Sequence, residues 1–175
     1  MYKDDIKIPL ERVAILVGKK GSVKRKIEKT THTKLLIDSR EGLISITGKE
    51  SLDVYDSRQM IKAIARGFNP EIALSLEDKD LILDVIDIQE YAGRSKAKLA
   101  RLRGRCIGTK GKSRRLIEEL TSTNISIYGK TIAILGYHEN VVIAKKAMES
   151  LLSGAKHGNI YKWLEKMQSS LKQEL

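Results

Sequence analysis

The stretch RCIGTKGKSRR, Arg105 to Arg115, gathers the residue types that bind phosphate. Gly108 and Gly111 bracket Thr109 and Lys110, and Arg105, Lys112, Arg114 and Arg115 surround them. Glycines let a backbone bend through left-handed conformations and let a ligand approach without meeting a Cβ. Lysine and arginine supply the charge and donors that phosphate oxygens accept. Two architectures combine these features. One is the nucleotide-binding loop G-x-x-x-x-G-K-[ST], whose end is matched by Gly111-Lys112-Ser113. The other is a G-x-x-G turn between two helices, with which KH domains hold single-stranded RNA.

The nucleotide-loop reading fails on two points. Its first glycine would have to be Cys106, and the residues before it, KLARLRGR, have helical spacing where a buried strand is required. The chain also contains its own control, because it repeats. VGKKGSVKRKIEKTTHTKLLI, Val17 to Ile37, aligns with IGTKGKSRRLIEELTSTNISI, Ile107 to Ile127, at a constant offset of 90. Gly18 meets Gly108, Gly21 meets Gly111, Ile27 meets Ile117 and Glu28 meets Glu118. Thr31 meets Thr121 and Thr33 meets Thr123. After a hairpin two residues shorter in the second copy, the match resumes at an offset of 88, pairing Gly48 with Gly136 and Val54 with Val142. The first copy, GKKGSV, lacks a GK[ST] triplet, so the shared element is G-x-x-G alone.

The elements that must position these loops are legible in both copies. An apolar or alternating strand opens each unit, DIKIPL in the first and LILDVIDI in the second. A short helix follows, ERVAILV or SKAKLARLRG, then the glycine loop, then a helix with Leu116, Ile117 and Leu120 on one face. Two strands joined by a turn come next, and a longer helix closes the unit with Val142, Ala144, Met148, Leu151 and Leu152 on its apolar side. The order β-α-α-β-β-α places helices on one face of a three-stranded sheet, an α+β arrangement. The expected division is a first domain over 1–68, a linking helix over 69–79 after the Asn69-Pro70 break, a second domain over 80–154 and a C-terminal helix over 155–175.

Charge supports a polyanionic partner. The 175 residues carry a net charge of +11, and from Arg101 to Arg115 there are seven basic residues and no acid. The expected RNA-contacting residues are Gly108, Thr109, Lys110, Gly111, Lys112, Arg103, Arg105, Arg114 and Arg115 in the second unit, with Ile125 and Ile127 as an aliphatic floor for bases. In the first unit they are Gly18, Lys19, Lys20, Gly21, Lys24 and Arg25, with Leu35 and Ile37 as the floor. Aromatic residues make up 5%, too few for a protein that stacks successive bases on aromatic rings. Glu11 and Glu28 make the surroundings of the first loop less favourable to RNA than those of the second.

Other chemistry is not in evidence. His32, His138, His157 and the single Cys106 lack metal-ligand spacing, and no catalytic constellation or cofactor motif stands out. The chain therefore reads as a binding protein and not an enzyme. No segment is suited to spanning a membrane or serving as a secretory signal, so the expected location is cytoplasmic. Cys106 is expected to be a small buried hydrophobe, and Tyr161 and Trp163 to pack against the second domain.

IPLERVAILVGKKGSVKRKIE, ARGFNPEIAL, RLRGRCIGTKGKSRRLIEELT, ISIYGKTIAILG and the tail GAKHGNIYKWLE together resemble the archaeal partner-of-Nob (Dim-two/Krr-like) family, over nearly the whole chain. The tail, with His157-Gly158 and Tyr161, is not part of a generic KH domain and narrows the resemblance to this family. The resemblance implies two tandem type I KH domains that bind the 3′ end region of small-subunit ribosomal RNA during precursor processing. It also implies two protein partners, the Nob endonuclease and the alpha subunit of translation initiation factor two. The competing expectations are a KH scaffold that docks processing or translation factors, and a KH regulator of messenger RNA.

Overall fold

The structure, a computed structural model, describes residues 1–173, so the last two positions of the expected C-terminal helix lie outside the described residues. Internal contacts divide the chain into two compact units, one from Met1 to Leu81 and one from Ile82 onward. The first runs β1 (Tyr2–Lys7), α1 (Leu10–Val17), a single 3-10 turn over Lys19–Gly21, α2 (Ser22–Thr31), β2 (Thr33–Asp38), β3 (Leu43–Gly48) and α3 (Ser51–Ala65). It closes with α4 (Pro70–Leu74) and another 3-10 turn. The second runs β4 (Leu81–Asp87), α5 (Gln89–Ala92), α6 (Lys96–Ile107), a 3-10 turn over Thr109–Gly111, α7 (Lys112–Thr121), β5 (Asn124–Tyr128), β6 (Thr131–Tyr137), α8 (His138–Leu152) and α9 (His157–Gln173). Both units have the expected β-α-α-β-β-α order, with the single turn α5 inserted after the opening strand of the second.

Each sheet has three strands, in the orders β1-β3-β2 and β4-β6-β5. β2 and β5 are therefore edge strands, antiparallel to β3 and β6 in the matching registers Leu35↔Ile46 and Ile125↔Ile134. One sheet face carries the helices. Leu16, Ile27, Ile44, Ile46, Met60, Ile61 and Ile64 fill the first core, and Cys106, Ile117, Ile132, Ile134, Met148 and Leu151 the second, all with no more than 1% exposure. Burying each large side chain contributes roughly 1.5–3 kcal/mol against chain entropy. α9 joins the second core through Ile160 and Leu164, and Tyr161 and Trp163 pack beside them as expected.

Asn69 caps α4, its side-chain oxygen accepting from the Ile72 N–H at 2.9 Å, and Pro70 occupies the first helical turn, where a missing N–H costs nothing. α4 packs on α3 within the first unit.

The closing helix corrects one expectation. Val142 is 51% exposed, whereas Val141 is 1% exposed and belongs to the core. Counted from the equivalent glycines, the stretch before the helix is one residue shorter in the second unit: Lys49 and Glu50 lie between Gly48 and α3, and Tyr137 alone lies between Gly136 and α8. Val54 therefore corresponds to Val141, and Met148 to Ile61. A shift of one position turns a helical side chain by about 100°, enough to move it from core to solvent. In urea denaturation, Val141→Ala should lower stability by about 2 kcal/mol, while Val142→Ala should change it by less than about 0.5 kcal/mol. Equal effects would contradict this register.

Candidate nucleic-acid interface

The two glycine loops have nearly identical backbones. Gly18 and Gly108 lie at φ 73° and 74°, Lys20 and Lys110 both at φ 53°, and Gly21 and Gly111 at φ 74° and 75°. The two glycines of each loop have different jobs. A Cβ on Gly108 would sit 2.7 Å from the Ser113 backbone nitrogen and 2.7 Å from its Cβ; on Gly18 it would sit 2.8 Å from the Val23 nitrogen. The first glycine is thus required by contact with the following helix. A Cβ on Gly111 would meet nothing closer than Arg115 Nε at 4.0 Å, so that glycine faces open space, whereas one on Gly21 would come within 3.0 Å of Arg25 Nη1, the end of a flexible side chain. The second glycine satisfies the left-handed turn and leaves room for a ligand backbone.

An arginine one turn into the next helix holds each loop. Arg115 donates to the Lys110 carbonyl at 2.6 Å, and Arg25 donates to the Lys20 carbonyl at 2.6 Å. Both were expected to contact RNA; the structure gives each a second task, fixing a non-glycine residue in a left-handed conformation. Lys19, Lys20, Thr109, Lys110 and Lys112 are exposed, and Lys24 is half-buried. Neither α2 nor α7 has a side-chain cap at its start; their first amides, on Ser22 and Lys112, donate to the loop carbonyls of Lys19 and Thr109, and the positive end of each helix dipole lies behind the loop.

Across from each loop runs an open sheet edge. Glu118 accepts from the Ile125 N–H at 2.7 Å, and Glu28 accepts from the Leu35 N–H at 2.9 Å. Arg114 bridges the same place, donating to Glu118 at 2.9 Å and to the Ile125 carbonyl at 3.5 Å. The polar groups of Ile125 and Leu35 therefore point outward from the sheet. By the two-residue alternation of an antiparallel ladder, the N–H and C=O of Ile127 and of Ile37 face the same open edge. These are directional donors and acceptors for the edge of a base.

Several expected contact residues have other places. Ile125 and Leu35 are 3% and 4% exposed and lie within the cores, so they offer no surface to a base. Ile127 and Ile37, half-buried, are the floor positions that remain open. Arg105 is turned away from the loop: it donates to the Leu151 carbonyl at 3.1 Å and to the Ala155 carbonyl at 2.5 Å, closing the end of α8. Arg103 is half-buried, and its Nε is enclosed with no partner among the described residues. The Ser113 hydroxyl is likewise buried and unpartnered beneath Gly108, where the first unit has Val23. Glu28, expected to weigh against RNA, instead performs the strand-edge role that Glu118 performs in the second unit. The pairing of these glutamates in the repeat was the available signal for it.

Cys106 is fully enclosed, and burial pushes its thiol up to about 12 against a weaker pull from Arg105. Among the described residues, no group of three or more histidine, cysteine or acidic side chains could hold a metal ion, and no helix is long and apolar enough to cross a membrane.

A family model described as a eukaryotic-type KH domain, KH-domain type I, of the second PNO1 domain matches residues 82–169, and a KH-domain model matches residues 3–63. The chain belongs to the PNO1 family of KH-domain proteins. It is 51% identical to a KH domain-containing protein of Methanocaldococcus jannaschii over 171 residues, which is 95% of this chain and 74% of that one. A pre-rRNA-processing protein PNO1 of Chaetomium thermophilum is 32% identical over 117 residues, 65% of this chain and 44% of its own. A crystal structure of an a/eIF2alpha–aDim2p–rRNA complex from Pyrococcus horikoshii contains a chain similar to this one at a TM-score of 0.90. The two are 40% identical, over 97% of this chain and 95% of that one.

The two loop glycines should separate in stability measurements. Gly108→Ala should cost about 2 kcal/mol or more, because its Cβ collides with backbone. Gly111→Asp should cost about 1 kcal/mol, because aspartate tolerates left-handed backbone and space is open there. Equal costs would contradict the assigned roles. Cys106 should stay unreactive towards a thiol-specific reagent in the native chain near neutral pH and react promptly once the chain is unfolded. Fast native labelling would show that the second core opens.

Proposed function

We propose that the chain binds single-stranded RNA through both glycine loops, on the 3′ end region of small-subunit ribosomal RNA during precursor processing. The observation that carries this reading is the duplicated clamp: exposed loop lysines at the positive end of a helix on one side, an outward-facing strand edge on the other. The first side suits a sugar-phosphate backbone of either nucleic acid, and the second suits the edges of unpaired bases. A duplex would hide those edges. The related chain solved with ribosomal RNA, and the relative named for pre-rRNA processing, support the choice of target. That complex also supports the alpha subunit of translation initiation factor two as a partner, and we keep the Nob endonuclease as a second partner on the sequence resemblance alone. In this reading the chain recruits and positions RNA and catalyses no reaction, and it acts in the cytoplasm.

The contact residues we assign are Gly108 to Lys112 and Ile127 in the second domain, and Gly18 to Gly21, Lys24 and Ile37 in the first. Arg25, Arg114 and Arg115 act chiefly by holding loop and edge. The proposed domains are 1–68 and 80–154, joined by 69–79 and followed by 155–175.

Binding of a single-stranded RNA with the sequence of the ribosomal 3′ end should weaken steeply with salt. About four phosphates per clamp give a slope of log affinity on log salt near −3 for one clamp. Gly111→Asp should weaken binding at least about tenfold while the circular dichroism spectrum is retained. A flat salt response, equal affinity for duplex RNA, or undiminished binding by the variant would overturn the proposal.

A further inference from the structure

The first unit holds a concavity of about 860 Å³ that the expected contact residues do not account for. One wall is a face of α2, formed by Arg25, Glu28 and Lys29 at positions i, i+3 and i+4, and continued by His32 just past the helix end. The opposite wall is the start of β2 and the end of β3, with Lys34 and Lys49 at its rim. The concavity begins at Arg25, whose guanidinium holds the loop carbonyl of Lys20, so it is continuous with the glycine clamp. The only carboxylate on that helix face, Glu28, is already committed to the Leu35 amide. Lys29, Lys34 and Lys49 have no ion-pair partner among the described residues.

The second unit supplies an internal comparison. Glu118 and Ile125 match Glu28 and Leu35 in their hydrogen bond, and Ser122 and His32 are both left-handed helix ends, which fixes the correspondence residue by residue. Where the first unit has Lys29, His32, Lys34 and Lys49, the second has Glu119, Ser122, Asn124 and Tyr137. The fold therefore does not require lysines at these positions, and three unpaired cations around one groove favour an anionic occupant.

We propose that this groove extends the RNA path of the first unit beyond the clamp, so that it neutralises phosphates of the nucleotides next to those held by Gly18–Gly21, while the second unit grips only its clamped nucleotides. This rests on the RNA-binding function proposed above.

The test uses the full chain with Gly111→Asp in place, so that binding is read from the first unit alone. In that background an RNA of about eight nucleotides should bind about tenfold or more tighter than one of about four. Installing the second unit's residues, Lys29→Glu, His32→Ser, Lys34→Asn and Lys49→Tyr, should abolish that gain and leave affinity for the short RNA unchanged. Removing three cations should also make the salt slope for the longer RNA shallower by about 2. Lys29→Glu alone, a surface change, should remove part of the gain and serves if the fourfold variant misfolds. Equal affinity of the Gly111→Asp chain for both lengths, or a gain that survives the substitutions, would overturn the extended path while leaving the clamp intact. Failure of that chain to bind either RNA would remove the clamp from the first unit and the extension with it.

Discussion

The structure depends on a left-handed bend between two helices, made twice. Chain direction must reverse between α1 and α2, and between α6 and α7, while the first residue of the bend lies against the backbone of the next helix. No Cβ fits there, as the 2.7 Å and 2.8 Å approaches at Gly108 and Gly18 show. The bend then carries a lysine through the left-handed region at φ 53°, a conformation that costs a non-glycine residue about 1 kcal/mol or more. Arg115 and Arg25 offset that cost by bonding the carbonyls of those lysines. The outcome is a lysine held at the tip of a turn, with the positive end of a helix next to it. Sheet, core and caps serve to keep that arrangement fixed.

Much of this was legible because it repeats. Duplication turned a weak four-residue motif into a strong one, and it identified element order, core positions such as Ile27 and Ile117, and the loops themselves. Side-chain assignments failed where a residue type fits two environments. Arginine at position 105 sits in a basic run next to a glycine loop, and nothing in its local sequence shows that the α8 carbonyls lie within its reach. Ile125 and Ile127 have the same chemistry, the same strand and the same sheet face; only how far the helices cover that face separates the buried one from the half-buried one, and the local sequence does not show that. Val142 was misplaced because an alignment followed identical residues across a connection whose length differs by one. Pattern matching is insensitive to one residue there, whereas a helix face is not.

The ends of the last helices show which constraints the two units share. Both α3 and α8 end in a glycine turn, with Gly67 and Gly154 at φ 104° and 99°, and each leaves carbonyls to be satisfied. In the first unit Arg12 donates to Ile64 at 2.8 Å and to Phe68 at 2.7 Å. In the second Arg105 donates to the corresponding Leu151 and Ala155. Yet Arg12 stands six residues before its loop glycine and Arg105 three, so the two arginines occupy different turns of equivalent helices. What persists is the need for a bidentate donor at that helix end, not the position that provides it.

The consequence lies in the tail. Because the second unit's arginine comes from the last turn of α6, it ties the turn leading into α9 to the residues just before Gly108. His157, at the start of α9, returns the connection by donating its Nε2–H to the Arg105 carbonyl at 2.8 Å. That carbonyl is among the last of α6, where a helix has no internal partner for it. The histidine that helps distinguish GAKHGNIYKWLE from a generic domain end is thus the residue that finishes the clamp helix. The tail is built into the support of the second loop, whereas the first unit takes its arginine from one turn further back, away from its own loop.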